Sequence, residues 1–170
     1  SYLKNTIIGG EKGKSVLNNL LNRIKKTKTN KQYNCILGIS GGIDSTYLAL
    51  QAKKWGLKPL VVHVDNGWNS ETAVNNIKKI LKKLEFDLHT YVINWEAMKD
   101  MHYAFLKSSV IDIELPYDNK FIAVLYKIAI ENRLKYILCG YNSFSEGILP
   151  PNFNHYKYDA LNIQDIHIKF

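Results

Sequence analysis

SGGIDST, at residues 40–46, decides the fold of this chain, because it lies where an apolar strand gives way to a helix. The preceding residues 33–39 are apolar and rich in strand formers. The following residues 47–55 have the pattern of a helix that ends at Gly56. Two adjacent glycines let a backbone turn tightly and bring its N–H groups close to a ligand. The sequence therefore predicts a strand, a tight loop and a helix in succession.

The glycine loop (residues 40–46) has the composition of a phosphate-binding turn. Free N–H groups and the positive dipole end of the following helix favour an anion at this place. The hydroxyls of Ser40, Ser45 and Thr46 add hydrogen-bond donors. The alternative is a plain turn whose glycines serve geometry and whose Asp44 caps the helix. All seven residues and both flanks fit the phosphate interpretation, so we expect an ATP site here.

A second glycine-rich stretch, GGEKGKS at residues 9–15, has part of the phosphate-binding pattern GxxxxGK[ST]. That pattern requires a glycine at position 8, which is Ile8. No convincing strand precedes the stretch either. We therefore expect a solvated, lysine-bearing lead-in to a helix.

Composition indicates one globular domain with a substantial core. The chain has 170 residues, of which 46% are hydrophobic and 22% charged. No apolar run approaches the ~20 residues of a membrane-spanning helix, and we expect no signal peptide. Cys35 and Cys139 both fall on predicted buried strands, as small core residues of a protein in a reducing compartment do. We therefore expect a cytoplasmic protein.

The net charge of +8 leaves nucleic acid open as a partner. The lysines are spread over predicted helix faces, as at residues 78–79 and 82–83, and no arginine-rich run with interleaved aromatics is present. This distribution favours solvated faces and steering of an anionic substrate over a nucleic-acid interface.

Strands and helices alternate along the chain. The predicted strands are residues 33–39, 60–64, 88–93 and 136–139, and the predicted helices are residues 14–28, 44–55, 70–84, 95–107, 118–133 and 159–170. This alternation predicts an α/β fold with a three-layer, doubly wound parallel sheet covered on both faces. Residues 141–158 are predicted to be a loop.

Polar residues follow the carboxyl ends of the predicted strands, where ligands bind in such sheets. Ser40, Asp65, Asn94 and Gly140 each follow one strand, and we expect them to border one crevice. Trp68 is costly to expose, so it is a candidate for stacking on a ligand ring, although a plain turn explains its surroundings equally well.

Further polar candidates lie later in the chain. Asp118 follows Pro116, and helix capping is its default role. Asn142 and Glu146 fall in the loop after the last strand, where Glu146 could hold Mg²⁺. His63 alternates with apolar neighbours and is predicted to be a hydrogen-bonded core histidine.

These residues together resemble a known group of enzymes. SGGIDST resembles the pyrophosphate loop of the PP-loop ATP pyrophosphatase superfamily, which has an adenine nucleotide alpha hydrolase-like (HUP-like) fold. The rest of the chain from about Tyr33 resembles the N-acetyl sugar amidotransferases. The matching segments are VDNGWNSE at 64–71, NWE at 94–96, LPYD at 115–118, GYN at 140–142 with Glu146, and ILP at 148–150.

The resemblance implies a reaction in surface-polysaccharide (O-antigen) or nonulosonic-acid biosynthesis. ATP adenylates the oxygen of a sugar acetamido group, pyrophosphate leaves, and ammonia displaces AMP to give an acetamidino group. The implied substrate is a nucleotide sugar or a nonulosonic acid, and the implied partners are an ammonia-supplying glutaminase and a cyclase-like protein. A homodimer is one option for the oligomeric state.

The residues and the resemblance together lead us to expect the following site roles. Asp44, Ser45 and Glu146 are the expected catalytic residues, and Asp44 and Glu146 are also the expected Mg²⁺ ligands. The ATP-binding residues are Ile39, Ser40, Gly41, Gly42, Asp44, Ser45, Thr46, Val64, Asp65 and Gly140. The substrate-binding residues are Trp68, Asp118 and Asn142.

Members of the resembled family are about twice as long, so we expect this chain to be a fragment. Its single domain then comprises a helical lead-in (1–32), a nucleotide-binding core (33–140) and the start of a C-terminal part (141–170). Two other functions stay open, a tRNA-modifying PP-loop enzyme and a non-catalytic module that binds ATP or AMP.

Overall fold

The computed structural model describes residues 8–27, 30–110, 112–141 and 157–170. Its elements are α1 (Gly10–Lys26), β1 (Cys35–Gly38), α2 (Ile43–Lys54), β2 (Pro59–Asp65), α3 (Glu71–Leu84), β3 (Leu88–Val92), α4 (Trp95–Lys107), α5 (Leu115–Glu131), β4 (Ile137–Leu138) and α6 (Ala160–Lys169).

The four described strands form one parallel sheet in the order β3-β2-β1-β4. The last pair between β1 and β2 joins Gly38 to Val62, and the last pair between β2 and β3 joins Asp65 to Val92. All strands run in one direction, so their carboxyl ends lie at one edge of the sheet. The chain reverses its winding at β1, between β2 on one side and β4 on the other, as in a doubly wound sheet.

Hydrophobic cores cover both faces of the sheet. Leu37 and Val61 belong to the core that also contains buried residues of α1, α2 and α3. Ile36 and Val62 point to the opposite face, where α4 and α5 contribute buried side chains. This alternation along β1 and β2 confirms the predicted three-layer α/β architecture.

Two helices begin three or four residues earlier than the sequence predicts. Helix α1 begins at Gly10 rather than at residue 14, and an exposed ion pair of 2.7 Å between Glu11 and Lys14 lies in its first turns. Helix α5 begins at Leu115 rather than at residue 118, with Pro116 inside its first turn. A proline is tolerated there because the first backbone N–H groups of a helix have no partner within it.

The two cysteines differ in burial. Cys35 is completely buried in β1, and burial raises the pKa of its thiol to about 12. Cys139 is exposed, so the prediction that it lies on a buried strand is wrong. The reason is that β4 is an edge strand of the described sheet and pairs through two residues, ending before Cys139.

Among the residues that the structure describes, no helix combines the length and apolar character that crossing a bilayer requires.

Candidate functional site

The amino-terminal end of α2 differs from those of its two neighbours. After β2, the Ser70 hydroxyl accepts a hydrogen bond from Ala73 N–H and caps α3. After β3, the Asn94 side chain accepts from Ala97 N–H and caps α4. Helix α2 begins after Gly42, where no side-chain hydrogen bond caps it. Its first-turn N–H groups and its dipole are therefore available to an external anion.

Hydrogen bonds within the glycine loop fix its shape. Ser40 N–H donates to the Ser45 hydroxyl at 3.2 Å, and that hydroxyl donates to the Gly42 carbonyl at 3.2 Å. Gly42 N–H donates to the Ser40 hydroxyl at 3.3 Å, and the two serine hydroxyls are 3.1 Å apart. Ser45 is buried, with 7% of its surface exposed. The loop is thus preorganised by its own serines, and Ser45 holds it from beneath.

Two glycines allow neighbouring elements to approach the loop. Gly41 has φ +84°, and a Cβ there would lie 2.7 Å from the carbonyl oxygen of Ala73 in α3. Gly140, beyond β4, faces the start of α2, and a Cβ there would lie 2.9 Å from Ser45 N and Cα. The loop is therefore held between α3 on one side and the end of β4 on the other.

The two remaining polar side chains of the loop face outward. Asp44 is exposed in the first turn of α2, and no described residue forms an ion pair with it. A free carboxylate beside a phosphate site is the oxygen donor that Mg²⁺ prefers, so Asp44 fits such an ion. Thr46 is half-buried and lines a pocket of 450 Å³ together with Gly41 and Gly42.

We name this 450 Å³ space the α2–α3 pocket. Its lining residues are Gly41, Gly42, Ile43, Thr46, Asn76, Lys79, Ile80 and Lys83. The first four belong to the glycine loop and the start of α2, and the last four to α3.

Asp65 is engaged in the turn that follows β2. One of its carboxylate oxygens accepts from Gly67 N–H and from the Asn69 amide, both at 3.0 Å. The hydrogen bond from Gly67 holds the pKa of Asp65 below its ordinary value. Burial raises this pKa, whereas the hydrogen bond from Asn69 and the charge of His63 lower it further. Asp65 is therefore ionised at neutral pH and shapes this turn.

Two tryptophans lie at the ends of β2 and β3. The rings of Trp68 and Trp95 pack edge to face with centroids 5.2 Å apart. A Cβ on Gly67 would lie 3.5 Å from the Trp95 ring, so this turn rests on the start of α4. Trp68 remains 70% exposed, which leaves an aromatic surface available to a ligand.

The backbone next to β1 and β2 was predicted to bind adenosine. Ile39 N–H donates to the Val62 carbonyl at 2.9 Å, and the Ile39 carbonyl lies 3.1 Å from Nδ1 of His63. His63 is 5% exposed, so the prediction of a hydrogen-bonded core histidine is confirmed. Val64 is buried in β2 opposite Tyr91.

Asp118 does not cap a helix. Glu114 occupies the capping position, and Asp118 lies in the first turn of α5, where its N–H donates to the Glu114 carbonyl. The Asp118 carboxylate is 3.4 Å from the amine of Lys157, which also pairs with Asp112 at 3.0 Å. Both carboxylates raise the pKa of Lys157, Asp112 more strongly. The capping prediction failed because the helix begins three residues earlier.

Asn142 and Glu146 lie outside the described residues.

A mostly apolar pocket of 360 Å³ lies beyond the end of β3, between α4, α5 and α6. It is lined by Ile93, Asn94, Ala97, Met98, Met101, Pro116, Asn119, Lys120, Ala123 and Ile163. This pocket lies at the carboxyl edge of the sheet, as the glycine loop does, but among helices that cover the opposite face from α2 and α3.

The sequence of this chain matches a known protein family. A model of the family described as queuosine biosynthesis protein QueC matches residues 34–146, more than half of the chain. The chain belongs to this family. It therefore belongs to the PP-loop ATP pyrophosphatase superfamily, as the glycine loop predicts.

Solved structures are similar in fold. The ammonia-dependent NAD synthetase from Campylobacter jejuni superposes with a TM-score of 0.56 at 17% identity, covering 76% of this chain and 55% of that one. The NMN synthetase from Francisella tularensis gives 0.53 at 22% identity, with the same coverage of 76% and 55%. These matches confirm the predicted adenine nucleotide alpha hydrolase-like fold.

A curated relative matches a shorter stretch. An uncharacterised protein of Methanocaldococcus jannaschii is 38% identical over 79 residues, which are 46% of this chain and 28% of that protein. The chain thus spans 28% of this relative and about half of each solved structure.

Sequence reasoning missed three residues at this edge of the sheet. Lys79 and Lys83 line the α2–α3 pocket, although they were interpreted as part of a solvated face. Lys79 and Lys83 are four residues apart in a predicted helix, and this spacing could have indicated that they lie on the same face of it. Tyr117, the third, is half-buried against the core on the α5 side, and burial raises the pKa of its hydroxyl, with the charges of Asp118, Glu114 and Asp65 raising it further.

Proposed function

We propose that this chain is the nucleotide-binding part of an ATP-dependent amidotransferase that releases AMP and pyrophosphate. The observation that carries the proposal is the uncapped start of α2 behind Gly41 and Gly42, in a chain of a PP-loop family. In this proposal the first-turn N–H groups of α2 bind the β- and γ-phosphates, with Ser40 and Thr46 adding hydroxyl contacts. Ser45 positions the loop, and the backbone at Ile39 and Val64 holds the adenosine.

The reaction that we propose has two steps. An amide oxygen of the substrate attacks the α-phosphorus of ATP, and the bond from that phosphorus to the bridging oxygen breaks, so that pyrophosphate leaves with the electron pair. Ammonia then attacks the activated carbon, a proton is lost, and the C–O bond breaks to release AMP. Preorganised donors around the departing pyrophosphate lower the barrier of the first step because they meet the charge as it develops.

Magnesium fits this site through the exposed Asp44 carboxylate. When bound, Mg²⁺ supplies positive charge to the phosphate oxygens. We propose Asp44, together with Glu146, as the residues that hold it, and Asp65 and Gly140 as neighbours that shape the nucleotide pocket.

For the substrate we propose the acetamido group of a nucleotide sugar or nonulosonic acid in surface-polysaccharide biosynthesis. The support is the resemblance of the segments at 64–71 and 94–96 to N-acetyl sugar amidotransferases, together with the Trp68–Trp95 pair in those segments. Trp68, Asp118 and Asn142 are the proposed substrate contacts. A glutaminase with a cyclase-like partner is the proposed ammonia source.

The family match favours a second candidate function. The matching family is described as a queuosine biosynthesis protein, so a reaction in that biosynthesis is the alternative to a sugar substrate. If the ligand were RNA, its binding would weaken steeply with added salt. A small-molecule substrate would show much less of this dependence.

Pyrophosphate release separates these functions. The assay combines the protein, MgATP and ammonium with candidate UDP-sugars, and control reactions omit the sugar or the ammonium. We expect pyrophosphate and AMP to appear in equal amounts only when an acetamido sugar is present. ATP binding without pyrophosphate release from any sugar, at saturating ammonium, would contradict the sugar amidotransferase and favour the second candidate function or a non-catalytic module.

A further inference from the structure

Strand β3 is an edge strand whose outer side is open. Within the described part of the chain, it pairs with β2 alone. The Asp87 carbonyl accepts a hydrogen bond from β2 at 3.0 Å, and Ile93 N–H donates one to β2 at 2.9 Å. Main-chain groups of successive residues point to alternate sides of a strand. Leu88, Thr90 and Val92 therefore direct both their N–H and their C=O groups away from β2.

Aliphatic side chains accompany this open edge. Leu88 is 40% exposed and Val92 is 70% exposed. Leu88 lies beside Val61 in the sheet, on the face that α1, α2 and α3 cover farther in. Both faces of a parallel sheet are normally covered. The end of the sheet at β3 thus has apolar surface that the described helices leave open.

The edge also lacks the features that keep edge strands apart. Natural proteins protect such strands with lysines, other charges, prolines, bulges or short length. The sequence of β3, LHTYV, contains no lysine, arginine, acidic residue or proline, and its register with β2 is regular from Leu88 to Val92. The other edge strand of the described sheet, β4, has two residues. The chemistry that fits β3 is therefore the main chain of another strand.

Strand β3 is complementary to itself. A two-fold axis at Thr90 places this residue opposite its own copy and Leu88 opposite Val92, in an antiparallel pair. These are the residues whose N–H and C=O groups point outward, so each facing pair exchanges two hydrogen bonds. The facing side chains are aliphatic with aliphatic, and His89 faces Tyr91, so no like charges meet.

We propose that this chain forms a two-fold symmetric homodimer in which β3 of one copy pairs antiparallel with β3 of the other, in register at Thr90. The two sheets then form one continuous sheet. Strand β2 lies between β3 and β1, after which the glycine loop follows, so the interface leaves that loop accessible. The inference does not depend on the proposed function.

Proline at position 90 tests the main-chain pairing. Thr90→Pro removes an N–H group that points away from β2, so the bonds between β2 and β3 are kept. Thr90→Ala is the matched control, because it removes the side chain and keeps the N–H group.

A charge pair tests the register. Leu88→Lys or Val92→Glu alone places a charge opposite an aliphatic side chain of the other copy. The double variant Leu88→Lys/Val92→Glu places an ammonium group of each copy opposite a carboxylate of the other, at both ends of the pair.

The measurement is sedimentation equilibrium over a range of protein concentrations, with thermal unfolding to check that each variant is folded. We expect wild type and Thr90→Ala to dimerise with similar dissociation constants. Thr90→Pro and each single charged variant should raise that constant about tenfold or more, because main-chain bonds or apolar contacts are lost. The double variant should dimerise more tightly than either single charged variant.

Three results would overturn the inference. One is a wild-type protein that stays monomeric at roughly 1 mM, where even a weak dimer assembles. Another is a dimer that Thr90→Pro leaves unchanged, since the interface would then lie elsewhere. The third is a double variant that dimerises no better than Val92→Glu, which excludes this register and decides the matter even if Thr90→Pro does not fold.

Discussion

Gly140 lies against the backbone of Ser45, so closely that a Cβ at position 140 would be 2.9 Å from Ser45 N and Cα. This contact joins the end of β4 to the start of α2. Since Ser45 also holds the glycine loop through hydrogen bonds to Ser40 and Gly42, the position of β4 and the shape of the loop are coupled.

A methyl group at position 140 tests this coupling. Gly140→Ala must move β4 or α2, at a cost of about 1–3 kcal/mol of unfolding free energy. We expect a lower Tm and weaker ATP binding, measured by calorimetry. Gly9→Ala is the control, because a Cβ there meets nothing within 4 Å. Equal stability of the two variants would argue against a close contact at Gly140.

The two loop glycines should respond differently to alanine. Gly41→Ala forces a Cβ onto φ +84° and toward Ala73 O at 2.7 Å, whereas Gly42 has φ −76° and its Cβ would lie 3.4 Å from the Ser40 hydroxyl. The left-handed conformation alone costs roughly 1–2 kcal/mol. Denaturant unfolding should therefore show a clear loss for Gly41→Ala and a smaller one for Gly42→Ala. The reverse order would contradict the loop geometry.

Asp44 is predicted to serve nucleotide chemistry and not stability. Since Asp44 is exposed and no described residue pairs with it, Asp44→Ala should leave Tm nearly unchanged. Turnover or binding of MgATP should be lost, as measured by pyrophosphate release and calorimetry. Glu71→Ala, which removes an acidic residue from the first turn of α3, is the control and should keep both. Wild-type nucleotide affinity in Asp44→Ala would count against this placement of the site.

Asp65 should make stability depend on pH in the acid range. Its folded pKa lies below the ordinary 3.8, chiefly through the hydrogen bond from Gly67. The carboxylate therefore contributes stability above pH 3.8, and this contribution disappears as the pH falls through the folded pKa. Wild type should exceed Asp65→Asn in unfolding free energy near neutral pH, with the difference narrowing below pH 4. A difference independent of pH would show that the carboxylate charge has no role.

Trp68 should report substrate binding. Because its ring is 70% exposed at the carboxyl edge of the sheet, a bound sugar should change tryptophan fluorescence. Trp68→Phe should remove most of that change. Trp55→Phe should not, because Trp55 lies at the carboxyl end of α2, away from the glycine loop, and packs against the hydrophobic core. An unaltered signal in Trp68→Phe would exclude Trp68 from the substrate site.

Much of this architecture was predictable from local sequence. The helices predicted at residues 70–84 and 95–107 match α3 and α4 to within one residue, because hydrophobic spacing and capping residues such as Ser70 are local signals. The start of α5 was misplaced because Pro116 was interpreted as a boundary, whereas the first turn of a helix accepts proline. The exposure of Cys139 depends on how far β4 pairs, which is a property of the whole sheet.

The site was predictable only in part, for a related reason. The glycine loop is recognisable because its chemistry is contiguous in sequence. The position of Lys79 and Lys83 beside the glycine loop depends on how α3 packs beside α2, and the contact of Gly140 with Ser45 joins residues that are distant along the chain. Such relationships appear only once tertiary packing is known.

The central claim is that the uncapped start of α2 binds the phosphates of ATP. The most direct measurement is a titration of ¹⁵N-labelled protein with MgATP, followed through its backbone amide resonances. We predict that the largest shifts are those of Gly41, Gly42 and residues 43–46. Saturating nucleotide that leaves these amides unmoved, or that shifts only amides elsewhere, would contradict the claim.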